Sequence, residues 1–167
     1  MMKQHMSKKI ILAVLGTAAA AIALYFFWNF PISKNGGIPE MAGERGIKAV
    51  VYKSPTCGCC GRYVSYLEKN GFKTETVITK DMNSIKKKYK IPGNMESCHT
   101  VVIGNYFIEG HIPIAAVDKI LEEKPKIGGI ALPGMPSGAP GMPGRKLESF
   151  KIYSLLDGTP SEFMVIN

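Results

Sequence analysis

Cysteine is scarce in this chain of 167 residues: there are four, Cys57, Cys59, Cys60 and Cys98, and none elsewhere with which to build a structural disulfide framework. Tryptophan occurs once, and histidine three times, as His5, His99 and His111. Charge is missing altogether from residues 10–28, and no acidic residue precedes Glu40. No nucleic-acid-binding motif is present, and the net charge of +8 is no substitute for one. Three of the positive charges, Lys3, Lys8 and Lys9, precede the uncharged run, which leaves a mild +5 for the remainder. The densest basic stretch, Lys86-Lys87-Lys88 with Lys90, reads as the solvated face of a helix.

As a helix, the uncharged run would be about 28 Å long, close to the hydrocarbon thickness of a bilayer. The lysines before it keep the N-terminus in the cytoplasm and send the rest of the chain across. Residues 1–9 are thus expected as a cytoplasmic tail and residues 10–30 as a single transmembrane anchor. The aromatic end Tyr25-Phe26-Phe27-Trp28 suits an interfacial belt. A cleaved signal peptide is the competing reading, since small residues lie between Ala18 and Ala23. Both readings export the same domain, to the periplasmic or extracytoplasmic side. In one it is tethered to the cytoplasmic membrane, in the other it is soluble.

Residues 31–46, with Gly36-Gly37, Pro39 and Gly43, read as a flexible linker. One folded domain is expected after it, over residues 47–126. Ala49-Val50-Val51-Tyr52 suggests a buried strand that ends at Ser54-Pro55. A helix carrying Tyr63, Val64 and Leu67 then stops at Asn70-Gly71. Residues 72–78 read as a second strand, and Asp81 caps a helix whose Met82 is expected in the core. Gly104-Asn105 marks a tight hairpin, and Pro113 opens a last helix with an Ile114, Val117, Ile120, Leu121 stripe. The order β-α-β-α-β-β-α gives an α/β class, a small mixed sheet with flanking helices.

Residues 127–167 are read as a Gly/Pro/Met-rich loop and a C-terminal hairpin packing on the same domain. The loop, residues 127–144, contains an echo, Pro133-Gly134-Met135-Pro136 and Pro140-Gly141-Met142-Pro143, and no regular core element is expected in it. The hairpin would turn at Asp157-Gly158.

The chemistry sits in Cys57-Gly58-Cys59-Cys60, between a strand and the start of a helix, where free N–H groups and the helix dipole favour thiolate. Cys57 and Cys60 have the spacing of a redox dithiol, and a thioredoxin-like thiol-disulfide oxidoreductase is the alternative function. Cys59 adds a third sulfur which such a dithiol does not need, so the pattern points to a metal cluster with Cys98 as fourth ligand. Soft thiolates select Cu(I), Zn(II) or iron–sulfur clusters, and methionine is a good ligand only for copper among these. His99, His111, Met135 and Met142 are candidate additional ligands. His5 lies on the wrong side of the anchor.

Four segments occur in order: Ser54-Pro55-Thr56-Cys57-Gly58-Cys59-Cys60, Ser97-Cys98-His99-Thr100, Glu109-Gly110-His111-Ile112-Pro113 and Leu132-Pro133-Gly134-Met135-Pro136-Ser137-Gly138. Together they are similar to the CopG family of exported copper-resistance proteins, long described as a domain of unknown function. The resemblance runs from about Ile47 to the C-terminus. It implies a thioredoxin-like fold and a copper cluster on Cys57, Cys59, Cys60 and Cys98, with histidine and methionine neighbours contributing. It also implies exchange between Cu(I) and Cu(II), hence a possible copper oxidoreductase. Copper ions are the expected partners, with copper exporters or chaperones beside them.

Overall fold

The computed structural model describes residues 45–167. The expected tail, anchor and most of the linker lie outside the described residues. Among the described residues no helix is long and apolar enough to cross a membrane.

Strand β1 (Lys48–Lys53) leads through the cysteine loop into α1 (Gly58–Lys69), and β2 (Lys73–Ile78) returns parallel to β1. Helix α2 (Met82–Lys88) and a 3-10 turn at Gly93–Met95 connect to β3 (His99–Ile103) and β4 (Tyr106–Glu109). Helix α3 (Ile114–Glu123), β5 (Gly129–Ala131), β6 (Phe150–Leu156) and β7 (Thr159–Ile166) complete the chain. The strands form one seven-stranded sheet in the order β2-β1-β3-β4-β5-β6-β7.

Local chemistry explains most of these elements. The Asp81 carboxylate accepts the Ser84 N–H at 3.0 Å and caps α2. Gly104 opens the β3–β4 turn at φ +58°, and Asp157 and Gly158 turn the last hairpin with φ of +49° and +86°. Val51, Val101 and Ile108 are fully buried on one face of the sheet with Tyr63 and Leu67 of α1 and Val117 and Ile120 of α3. The next residue after a strand position points the opposite way. Phe107 and Ala131 accordingly join Ile91, Met95 and Leu155 in a second cluster on the other face.

Three expectations are corrected. Residues 127–144 do contain a core element: β5 is fully buried and pairs parallel with β4 and antiparallel with β6. The glycines read as breakers are what permits it, since a Cβ on Gly129 would fall on the Phe107 carbonyl oxygen. The C-terminal hairpin therefore continues the sheet. Met82 is only half-buried. Lys86, in the supposed solvated run, is buried and ion-paired to Glu109.

Candidate metal centre

Sheet register assembles the site at one end of the sheet. Antiparallel pairing of β1 with β3 sets Lys53 beside His99, so the loop leaving β1 meets the residues that enter β3. Pairing of β3 with β4 sets Thr100 beside Glu109, and the Gly110 N–H donates to the His99 carbonyl at 3.1 Å, bringing His111 to the same place. Glu109 in turn pairs with Ala131 of β5, which delivers the Gly/Pro loop.

Cys57 is the N-cap residue of α1, and Cys59 and Cys60 lie in its first turn. Their sulfurs and that of Cys98 all lie within 4.8 Å of one another. Cys59 Sγ is 3.5 Å from Cys57 Sγ and 3.7 Å from Cys98 Sγ, and Cys60 Sγ is 3.6 Å from Cys98 Sγ. Cys60 is buried, whereas Cys57, Cys59 and Cys98 are partly exposed, so the group opens to the surface. Cys57 and Cys60 are joined as a disulfide, and Cys59 and Cys98 are free. The four sulfurs expected as one set are thus together, but in this state only two can act as thiolates. Burial, and next the neighbouring Cys59, push the Cys98 thiol up to about 12. A soft metal arriving there would have to displace a proton.

The two histidines take different parts. The Pro140 carbonyl accepts a hydrogen bond from His111 Nδ1 at 2.7 Å, which leaves the Nε2 lone pair 3.2 Å from Cys98 Sγ. His111 is therefore a preoriented nitrogen donor. His99 places Nδ1 3.3 Å from Cys98 Sγ, while its buried Nε2 has no hydrogen-bond partner among the described residues. Tyr63 packs against both rings, with centroids at 4.7 Å from His99 and 5.4 Å from His111. Its hydroxyl donates to the Ile112 carbonyl at 2.8 Å.

Each half of the methionine echo docks one side of the site. In the first half, the Gly134 carbonyl accepts from Ser97 Oγ and its N–H donates to the Glu96 carbonyl at 3.0 Å, beside the Cys98 loop. Met135 comes next and is 53% exposed. In the second half, the Gly141 carbonyl accepts from Arg62 Nε at 2.6 Å. Gly141 has φ +79°, and a Cβ there would lie 2.8 Å from the Tyr63 backbone nitrogen, so only glycine allows this approach. Met142 packs half-buried against the main core, which suits filler better than ligation.

Sequence reasoning missed Lys86 and Glu109, which anchor the Cys98 loop, and Arg62 and Tyr63, which hold the Gly/Pro loop and pack against the histidines. Nothing in a run of lysines distinguishes Lys86 from its neighbours. Glu109 carried a weak signal, as a carboxylate ending an apolar strand next to a motif histidine.

Burial gives a pH dependence. It lowers the His99 imidazole to about 3, helped by His111 and Lys86, whereas an unfolded histidine titrates near 6.5. Between these values the unfolded chain binds the extra proton, so the metal-free protein loses stability as pH falls from about 6.5 toward 3. His111 is lowered by burial and adds in the same direction. Melting temperatures measured from pH 7 to 4 should fall with acid, and His99→Gln should flatten the slope below pH 6.5. An unchanged slope in the variant would contradict this assignment.

A family profile described as "Protein of unknown function, DUF411" matches residues 95–142, from the Cys98 loop into the Gly/Pro loop. No curated protein matches the chain. Among solved structures, the chain is similar to "Copper resistance protein copG- Form 1", at 37% identity and a TM-score of 0.66, over 71% of this chain and 96% of that one. "Copper resistance protein copG- Form 2" matches at 36% identity and a TM-score of 0.67, over 72% and 98%. With its four motifs gathered at one end of a shared fold, this chain belongs to the CopG-like family of copper-resistance proteins.

Proposed function

We propose that this protein binds Cu(I) through Cys57, Cys59, Cys60 and Cys98, as a cluster of several ions, in copper resistance or homeostasis. The observation that carries the reading is the convergence of four sulfurs within 4.8 Å of one another, with His111 Nε2 3.2 Å from Cys98 Sγ. Four thiolates sharing several monovalent ions nearly cancel in charge, which favours more than one copper. A single Zn(II) would leave the same set with a net negative charge. His111 is the favoured nitrogen ligand, and Met135, exposed beside the Cys98 loop, is the favoured thioether, at the point of entry. The cluster is proposed to exchange Cu(I) with Cu(II), with exporters or chaperones of copper as partners.

The β1-α1-β2 and β3-β4-α3 units, with strand order β2-β1-β3-β4, support a thioredoxin-like core onto which β5 to β7 are added. The domain is proposed to stand on the extracytoplasmic side of the cytoplasmic membrane, tethered through residues 10–30. The Cys57–Cys60 disulfide favours a second reading, a thiol-disulfide oxidoreductase in which Cys57 attacks and Cys60 resolves. That reading leaves Cys59 without a task.

Native mass spectrometry of the reduced chain, offered Cu(I) and Zn(II) in equal amounts without oxygen, separates the metals. The expected product carries copper and no zinc. A chain that retains zinc, or a visible iron–sulfur absorption in the protein as isolated, would reject the copper assignment.

A further inference from the structure

Cys98 is the one site cysteine that does not ride on α1, so its sulfur is placed by whatever holds its own loop. Ser97, the residue before it, is gripped on every polar atom. Its N–H donates to Glu109 Oε1 at 2.6 Å, its carbonyl accepts from Lys86 Nζ at 2.9 Å, and its hydroxyl donates to the Gly134 carbonyl. Lys86 Nζ also bonds Glu109 Oε1, while Thr100 Oγ1 donates to the other carboxylate oxygen at 2.6 Å. One carboxylate therefore pins the chain on both sides of Cys98. The side chains of Lys86 and Glu109 are 6% and 0% exposed. Gly110, at φ +83°, lets β4 pass so close that a Cβ there would lie 2.7 Å from Ser97 Cβ.

A buried ion pair is a poor device for stability, because desolvating both charges cancels most of their attraction. Its charges here make directed hydrogen bonds to Ser97 and Thr100, on either side of Cys98, which is what holding a ligand in place requires. We propose that Lys86 and Glu109 are positioning residues for the copper site, fixing the Ser97-Cys98 main chain so that the fourth sulfur faces the three on α1. The inference rests on the reading of this site as a copper centre. Neither residue touches the metal; both act through Cys98.

The test is a double-mutant cycle on the reduced full-length chain, with Cu(I) affinity measured by competition against a chromogenic Cu(I) chelator. Lys86→Met with Glu109→Gln removes both charges together and leaves none buried alone. That double variant should bind copper about 10- to 100-fold more weakly than wild type, the loss typical of removing a ligand's supporting partners. In a Cys98→Ser background the same two substitutions should cause no further loss, because the residue they position is gone. Lys86→Arg, which keeps both charges and alters only the reach to the Ser97 carbonyl, gives a milder variant if the double one does not fold, and it should show the same dependence on Cys98. Equal losses with and without Cys98, or no loss in either, would overturn the positioning role while leaving copper binding intact. Failure of the wild type itself to bind Cu(I) would instead reject the copper reading, and this inference with it.

Discussion

Cys59→Ser should lower the number of Cu(I) ions held by the reduced chain, and it should do so without removing the C-x-x-C pair. Cys59 Sγ stands between Cys57 Sγ at 3.5 Å and Cys98 Sγ at 3.7 Å, so it is the sulfur best placed to bridge copper ions. A serine hydroxyl is a hard donor that Cu(I) does not select, so the substitution removes a ligand at almost constant volume. The affinity for the ions that remain should fall by at least the roughly 10- to 100-fold that loss of a mere supporting partner costs. The competing oxidoreductase predicts the reverse. With Cys57 and Cys60 retained, Cys59→Ser would leave reduction of a protein disulfide intact and have no copper phenotype. Anaerobic titration of the variant beside a disulfide-reduction assay separates the two, and an unchanged copper number would reject the cluster.

Oxidation should block loading. With Cys57 and Cys60 joined, two of the four sulfurs carry no thiolate, and only Cys59 and Cys98 remain as sulfur ligands. Restoring four thiolates takes two electrons and the later release of the thiol protons to solvent as metal binds. Protein treated with a mild oxidant should therefore take up Cu(I) at least about tenfold more weakly than protein reduced with a phosphine. Removing the oxidant and reducing the same sample should restore uptake. The Cys57→Ser, Cys60→Ser double variant should bind weakly under both conditions. Equal uptake by oxidised and reduced wild type would show that Cys57 and Cys60 are not ligands.

The legible parts of this molecule were those in which chemistry is local. Asp81 caps α2 and Asp157-Gly158 turns the last hairpin because a short polar side chain or a glycine permits those backbone angles whatever lies elsewhere. The C-G-C-C segment announced a helix-start site, and the β-α-β-α-β-β-α order carried Cys98 to it through the β1–β3 register. What stayed hidden depends on partners remote in sequence. Gly128-Gly129 reads as a break until Phe107 is seen packed where a side chain would stand, and β5 is then intelligible. Lys86 lies in a polylysine run, and its partners, the Ser97 carbonyl and Glu109, lie 11 and 23 residues on. The histidines show the same limit: both place a ring nitrogen near Cys98 Sγ, but the Pro140 carbonyl that orients the His111 ring lies 29 residues from it in sequence.

The central claim is that one soft-metal site takes all four sulfurs. It is tested most directly by anaerobic titration of the fully reduced wild-type chain with Cu(I), counting bound copper and the free thiols remaining at saturation. The account predicts more than one Cu(I) per chain and loss of all four thiols from reaction with a thiol reagent. Copper absent at saturation, or bound while the thiols of Cys59 and Cys98 stay reactive, would contradict it.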